Sequence, residues 1–181
     1  VTPPATDVGA GPDLATCGTS ATMAATLPYP GVQGTWSVVS GSGTFANVNS
    51  PTTTVSGLSA GNNVFQWTGD YQTCGTRSDQ VTVTSHNPAQ PAALAGADQA
   101  LCGPPNTVTL AGNTATAPAM GTWSFVTGSG TITSPNSPTS TVTGLALGEN
   151  RLRWTINNGP CGTTQDEVLI TVFNSAQPAA N

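Results

Sequence analysis

Four cysteines, one histidine, eight carboxylates and three arginines make up the reactive inventory of this 181-residue chain, which has no lysine. General-base and nucleophilic catalysis need a reactive group with an orienting partner, and histidine fills that role most often. The single His86 stands beside Asn87-Pro88 and reads as a surface residue of a linker, not as a catalytic group. The missing lysine closes Schiff-base chemistry and the Lys-Asn isopeptide crosslinks of some surface proteins. Glycoside hydrolysis needs two acids converging on one bond. The one adjacent pair, Asp166-Glu167, begins a strand-like run in which neighbours face opposite ways, so the two cannot converge. Gly41-Ser42-Gly43 and Gly128-Ser129-Gly130 lack the lysine and following helix of a phosphate loop and read as hairpin turns. No enzyme is expected, and no cofactor beyond a candidate calcium ion.

Whatever positions these residues is repetitive. Gly34-Thr35-Trp36-Ser37 recurs as Gly121-Thr122-Trp123-Ser124, an offset of 123 minus 36, or 87. The offset holds downstream: Asn49-Ser50-Pro51 maps to Asn136-Ser137-Pro138, Trp67 to Trp154, Cys74 to Cys161 and Asp79 to Asp166. Upstream, Gly11, Asp13 and Cys17 map to Gly96, Asp98 and Cys102 at an offset of 85, which places two extra residues in the second copy, expected near Pro118. The reading is repeat one over 1–86, a linker over 87–94, repeat two over 95–173, and a further linker over 174–181 that leads to a following repeat or tail.

Charged residues are 6 % of the chain, while Gly, Pro, Thr, Ser and Asn abound, which suits short strands and tight turns over helix. Alternation marks about seven strands per copy. In copy two it turns Val108 and Leu110, Trp123 and Phe125, Leu152, Trp154 and Ile156, and Val168, Ile170 and Val172 inward, with Arg151 and Arg153 outward. Copy one repeats this with Met23 and Ala25, Trp36 and Val38, Phe65 and Trp67, and Val81 and Val83. Trp36, Trp67, Trp123 and Trp154 share the apolar phase and are expected in the core instead of forming a sugar-stacking platform. The fold class expected is all-β: two tandem immunoglobulin-like sandwiches.

Domains this small need an added constraint, and paired cysteines supply one in an oxidising compartment. The favoured pairing is within each copy, Cys17 with Cys74 and Cys102 with Cys161, closing loops of 74 − 17 = 57 and 161 − 102 = 59 residues. Bonds between copies, such as Cys17 to Cys161, are the alternative. Zinc is disfavoured because no CxxC occurs. Asp13, Asp79, Asp98 and Asp166 recur in pairs and are calcium candidates, weighed against turn aspartates that bond their own backbone. Tyr29 and Tyr71, present only in copy one, are the candidate glycan contacts. A net charge of −5 speaks against nucleic acid, and no apolar run is long enough to insert in a membrane.

One further signal comes from local strings. Ala95-Gly96-Ala97-Asp98-Gln99-Ala100-Leu101-Cys102-Gly103, then Thr107-Val108-Thr109-Leu110-Ala111-Gly112-Asn113, the GTWS, GSGTI and NSPTSTVTGL segments and Asn157-Asn158-Gly159-Pro160-Cys161 resemble the PKD-like, immunoglobulin-like tandem repeats of large secreted surface adhesins in gliding, type IX-secreting bacteria. The WDFGDG box of typical PKD domains is absent. The resemblance covers both copies almost end to end. It implies an extracellular, cell-surface structural or adhesive module without catalysis, whose partners are neighbouring repeats of an array or filament. A carbohydrate-binding module of a secreted protein, meeting surface glycans through Tyr29 and Tyr71, is the alternative.

Overall fold

The structure is a computed structural model, and it describes residues 8–28, 30–104 and 106–174. Two compact units divide the chain. One takes the residues up to Pro88 together with Gly159–Cys161; the other takes Ala89–Asn158 and the residues from Gly162 on.

Among the described residues the first unit contains seven strands: β1 (Leu14–Cys17), β2 (Ser20–Thr22), β3 (Gln33–Ser40), β4 (Thr44–Phe45), β5 (Thr54–Ser56), β6 (Gly61–Asp70) and β7 (Thr76–His86). They form one sheet in the order β1-β7-β6-β3 and a second in the order β2-β5-β4. The opening strand β1 runs parallel to the closing strand β7, with Leu14 opposite Val83 and Cys17 opposite His86; the β7-β6 and β6-β3 pairs are antiparallel. The second unit repeats this with β8 (Gln99–Cys102), β9 (Val108–Thr109), β10 (Met120–Thr127), β11 (Thr131–Ile132), β12 (Thr141–Thr143), β13 (Gly148–Asn157) and β14 (Thr163–Phe173). Its sheets run β10-β13-β14-β8 and β11-β12-β9, and β8 again lies parallel to β14.

Alternation of side chains across each pleat places the core. On β6 the inward phase is Asn63, Phe65, Trp67 and Gly69; on β13 it is Asn150, Leu152, Trp154 and Ile156, all buried. The tryptophans sit directly opposite each other on neighbouring strands, Trp36 across from Trp67 and Trp123 across from Trp154, with ring centroids 4.9 and 5.0 Å apart. Each indole N–H reaches a backbone carbonyl: Trp36 to Ser50, Trp67 to Thr26, Trp123 to Pro138 and Trp154 to Asn113. The repeated Gly-Thr-Trp string follows from this. The Trp67 ring lies where a Cβ on Gly34 would stand, and Trp154 covers Gly121 in the same way. Asn49 then ties the strand down by donating to the Gly34 carbonyl and Thr35 Oγ1, as Asn136 does to Gly121 and Thr122.

Three expectations are corrected. Val38 is 44 % exposed and not in the core, at the last residue before the β3-β6 register slips between Val38 and Ser40. The two extra residues of copy two are not near Pro118. Gly18 and Gly103 both bond the end of the closing strand, at His86 and Phe173, in the 85-residue register, whereas Thr19 and Asn106 already accept from Leu58 and Leu145 in the 87-residue register. The insertion therefore falls between Gly103 and Asn106, the Pro-Pro site. His86 ends strand β7 and is buried, not a surface residue of a linker.

Candidate functional site

The sequence concentrates its reactive groups at two places in each repeat, the end of the opening strand and the turn before the closing strand. Cys17 is the last residue of β1, and the next residue, Gly18, donates to the His86 carbonyl at 2.9 Å. Cys161 ends a single 3-10 turn, Gly159–Cys161, closed by the Asn158 N–H on the Gly162 carbonyl at 2.8 Å. That turn packs on β1 and β7. Cys17 and Cys161 form a disulfide, 144 residues apart in sequence and 4.9 Å apart between Cα atoms. The bond corrects the favoured expectation. Neither Cys17–Cys74 nor Cys102–Cys161 is made; Cys74 and Cys102 are free thiols and exposed. The seven-strand order gives the reason, because within a repeat the turn holding Cys74 lies at the opposite end of β7 from Cys17, which pairs with His86.

Glycine at position 159 fits this joint. Its φ is +53°, in the left-handed region, and a Cβ there would come within 2.5 Å of the His86 ring. Closing a loop of this length lowers the entropy of the unfolded chain by the equivalent of about 5 kcal/mol in the chain-entropy model.

The four calcium candidates have another employment. Asp79 on β7 accepts the Ala10 N–H at 2.9 Å, while Asp13, just ahead of β1, accepts the Thr82 N–H at 2.8 Å. Asp166 and Asp98 do the same for Ala95 and Leu169, both at 2.8 Å. Each reciprocal pair bolts the entering segment to the closing strand, across 69 residues in copy one and 71 in copy two, and not to its own turn as the turn-aspartate reading has it. Among the described residues no three His, Cys, Asp or Glu side chains converge on a metal-sized space. Asp166 and Glu167 serve different partners, since Glu167 takes two bonds from Arg153, at 3.0 and 2.7 Å, and one from Arg151. The Arg153 hydrogen bonds hold the Glu167 carboxyl below its usual range.

All four tryptophans are at most 3 % exposed, so none offers a sugar platform. Tyr71 lies partly buried against the first core, beside a shallow recess of ≈ 250 Å³ that includes Pro30, Asp70 and Gln72. Tyr29 lies outside the described residues.

Sequence reasoning missed the polar centre of each sandwich. Asn63 and Asn150 are fully buried. The Asn63 carbonyl oxygen accepts the Ser42 and Ser59 N–H groups and the Ser59 hydroxyl, and its amide donates to the Ser59, Gly61 and Val83 carbonyls. Asn150 accepts from Ser129 and donates to Ala146, Gly148 and Ile170. An asparagine on the inward phase of the Phe65-Trp67 and Leu152-Trp154 runs was the available signal.

Comparison with known folds agrees with this topology. Extracellular domains 3–5 of Drosophila OTK align over 92 % of this chain and 60 % of theirs, at 12 % identity and a TM-score of 0.52. Each unit is an immunoglobulin-like β-sandwich. The PKD domain from KIAA 1837 protein aligns with 51 % of this chain and 96 % of its own length, at 24 % identity and a TM-score of 0.43. The titin I-band fragment I67–I69 aligns over 93 % of this chain and 64 % of its own, at 11 % identity and a TM-score of 0.47. No family model and no curated protein sequence matches the chain.

Proposed function

We propose that these immunoglobulin-like repeats are a structural and adhesive module of an extracellular surface protein, carrying tension and not catalysing a reaction. The Cys17–Cys161 bond carries this reading. Tension that enters before Cys17 and leaves after Cys161 crosses the disulfide, so that only β1 and β14 lie on the loaded path and strands β2 to β13 are held inside the closed loop. Disulfides persist in oxidising compartments, which favours an exported location. Among the described residues no helix is long and apolar enough to cross a membrane. A surface dominated by Thr, Ser and Asn, with only three cationic side chains, gives little nonspecific ionic attachment.

Separate beads would lengthen one at a time under load. With the bond in place, pulling the oxidised chain by its ends should release only the residues outside Cys17–Cys161. Reductant should then free roughly 500 Å more, 144 residues at about 3.5 Å each. Two repeat-sized steps without reductant would refute the tension-bearing reading.

A further inference from the structure

The two free thiols, Cys74 and Cys102, are the unused halves of the bond that the chain already makes once. Cys102 closes β8 as Cys17 closes β1; it lies opposite Phe173 as Cys17 lies opposite His86, and Gly103 bonds the Phe173 carbonyl as Gly18 bonds that of His86. Cys74 ends the 3-10 turn Gln72–Cys74, closed by the Tyr71 N–H on the Gly75 carbonyl, the counterpart of the turn that ends in Cys161. Exposure gives a second, independent sign. His86, with the Gly159 turn seated against it, is 8 % exposed, while Phe173 at the same place in copy two is 54 % exposed. An aromatic ring that copy one's counterpart buries is left open beside an unused thiol.

We infer that Cys102 and Phe173 form a docking and disulfide site for the cysteine turn of a further repeat, and that Cys74 is the matching donor toward a preceding one. Each repeat then bonds the next but never itself. Successive loops overlap, because Cys102 precedes Cys161, so no backbone in the array lies outside a closed loop. The inference stands apart from adhesion, since it concerns only which thiols pair. Joining two thiols releases two protons and two electrons, and a disulfide oxidant such as oxidised glutathione takes them up to become two thiols.

The geometry also selects among turns. Gln72 occupies the position of Gly159 and keeps its left-handed φ, +58° against +53°, but carries a Cβ where Gly159 needs none beside the His86 ring. The turn that fits Cys102 and Phe173 therefore has glycine two residues before its cysteine, as in Asn158-Gly159-Pro160-Cys161. A neighbouring repeat of that form is the favoured partner over a second copy of this chain, which would bring Gln72 against Phe173.

Three chains incubated in a glutathione redox buffer and mapped without reduction test this. Lengthened after residue 181 by a third repeat identical to residues 95–174, the chain should bond Cys102 to the added counterpart of Cys161 within one molecule. The original chain should give few covalent multimers, and Gln72→Gly should raise the head-to-tail Cys102–Cys74 product roughly tenfold by removing the steric conflict. Cys102→Ser should abolish both products. A free or merely glutathionylated Cys102 in the lengthened chain, or symmetric Cys74–Cys74 and Cys102–Cys102 products as abundant as the head-to-tail one, would overturn the inference.

Discussion

The two repeats solve one packing problem with different residues, and the exchanges come in compensating sets. Copy one places Gly69 on the inward phase of β6 and surrounds its missing side chain with Val8, Leu27 and Val32. Copy two has Ile156 there, and the residues at the matching positions shrink to Ala93, Thr114 and Ala119. Near the other end of the sandwich, the glycine at position 43 faces the Phe65 ring, while its counterpart Gly130 faces Phe125, from a different strand. Copy one stacks Phe45 on Trp36 at 5.6 Å; copy two has Ile132 at that point and Phe125 in place of Val38. Across the outer face, Gln80 bonds Gln66 in copy one where Glu167 pairs with Arg153 in copy two. Volume and pairing, not residue identity, are what the sandwich demands, because a close-packed interior feels the gain or loss of single methyl groups.

The largest effect should come from breaking one of these sets. Ile156→Ala leaves a cavity between the sheets and should cost copy two about 4 kcal/mol in denaturant unfolding. Adding Ala93→Val and Ala119→Val, which imitate copy one, should restore part of that loss; no recovery would show that the exchanges are unrelated. Next comes the polar centre. Asn150→Ala strands the Ser129 N–H and the Ala146 and Gly148 carbonyls and should cost about 3 kcal/mol, with Asn63→Ala doing the same to copy one. Faster amide exchange confined to the altered repeat would be the accompanying sign.

A smaller effect should follow Gly159→Ala. The added methyl meets the His86 ring and adopts an unfavourable φ, worth about 1–2 kcal/mol, and should slow reformation of the Cys17–Cys161 bond after reduction. The smallest concerns pH. Glu167 is held below its ordinary range, so its pairing with Arg153 contributes above the unfolded value of 4.5 and is lost as pH falls through the lowered one. Acid should therefore loosen copy two slightly more than copy one, whose Gln66–Gln80 pair does not titrate, and Glu167→Gln should erase the difference in a melting comparison.

Much of the sandwich was legible because strand alternation and an 87-residue echo are local signals. The inward phase of Leu152, Trp154 and Ile156 needs only a period of two, and the paired tryptophans follow from the register. What local patterns lack is which end of the sandwich a residue reaches. Cys74 and Cys161 are equivalent partners for Cys17 in sequence, and only the parallel β1-β7 pairing puts Cys17 beside His86 and away from its own turn. The insertion was misplaced for a related reason: Pro104-Pro105 and Pro118 are both plausible loop sites, and long-range hydrogen bonds from Leu58 and Leu145 decide between them. Asn63 and Asn150 escaped because a polar residue on an apolar phase looks like a break in the pattern until its hydrogen-bond partners are in place.

Peptide mapping of the unreduced protein after blocking free thiols tests the account most directly. It should yield one crosslinked peptide joining Cys17 to Cys161, with Cys74 and Cys102 alkylated in full. Crosslinks from Cys17 to Cys74 and from Cys102 to Cys161 would contradict it, returning each repeat to a self-contained unit with no disulfide from one to the next.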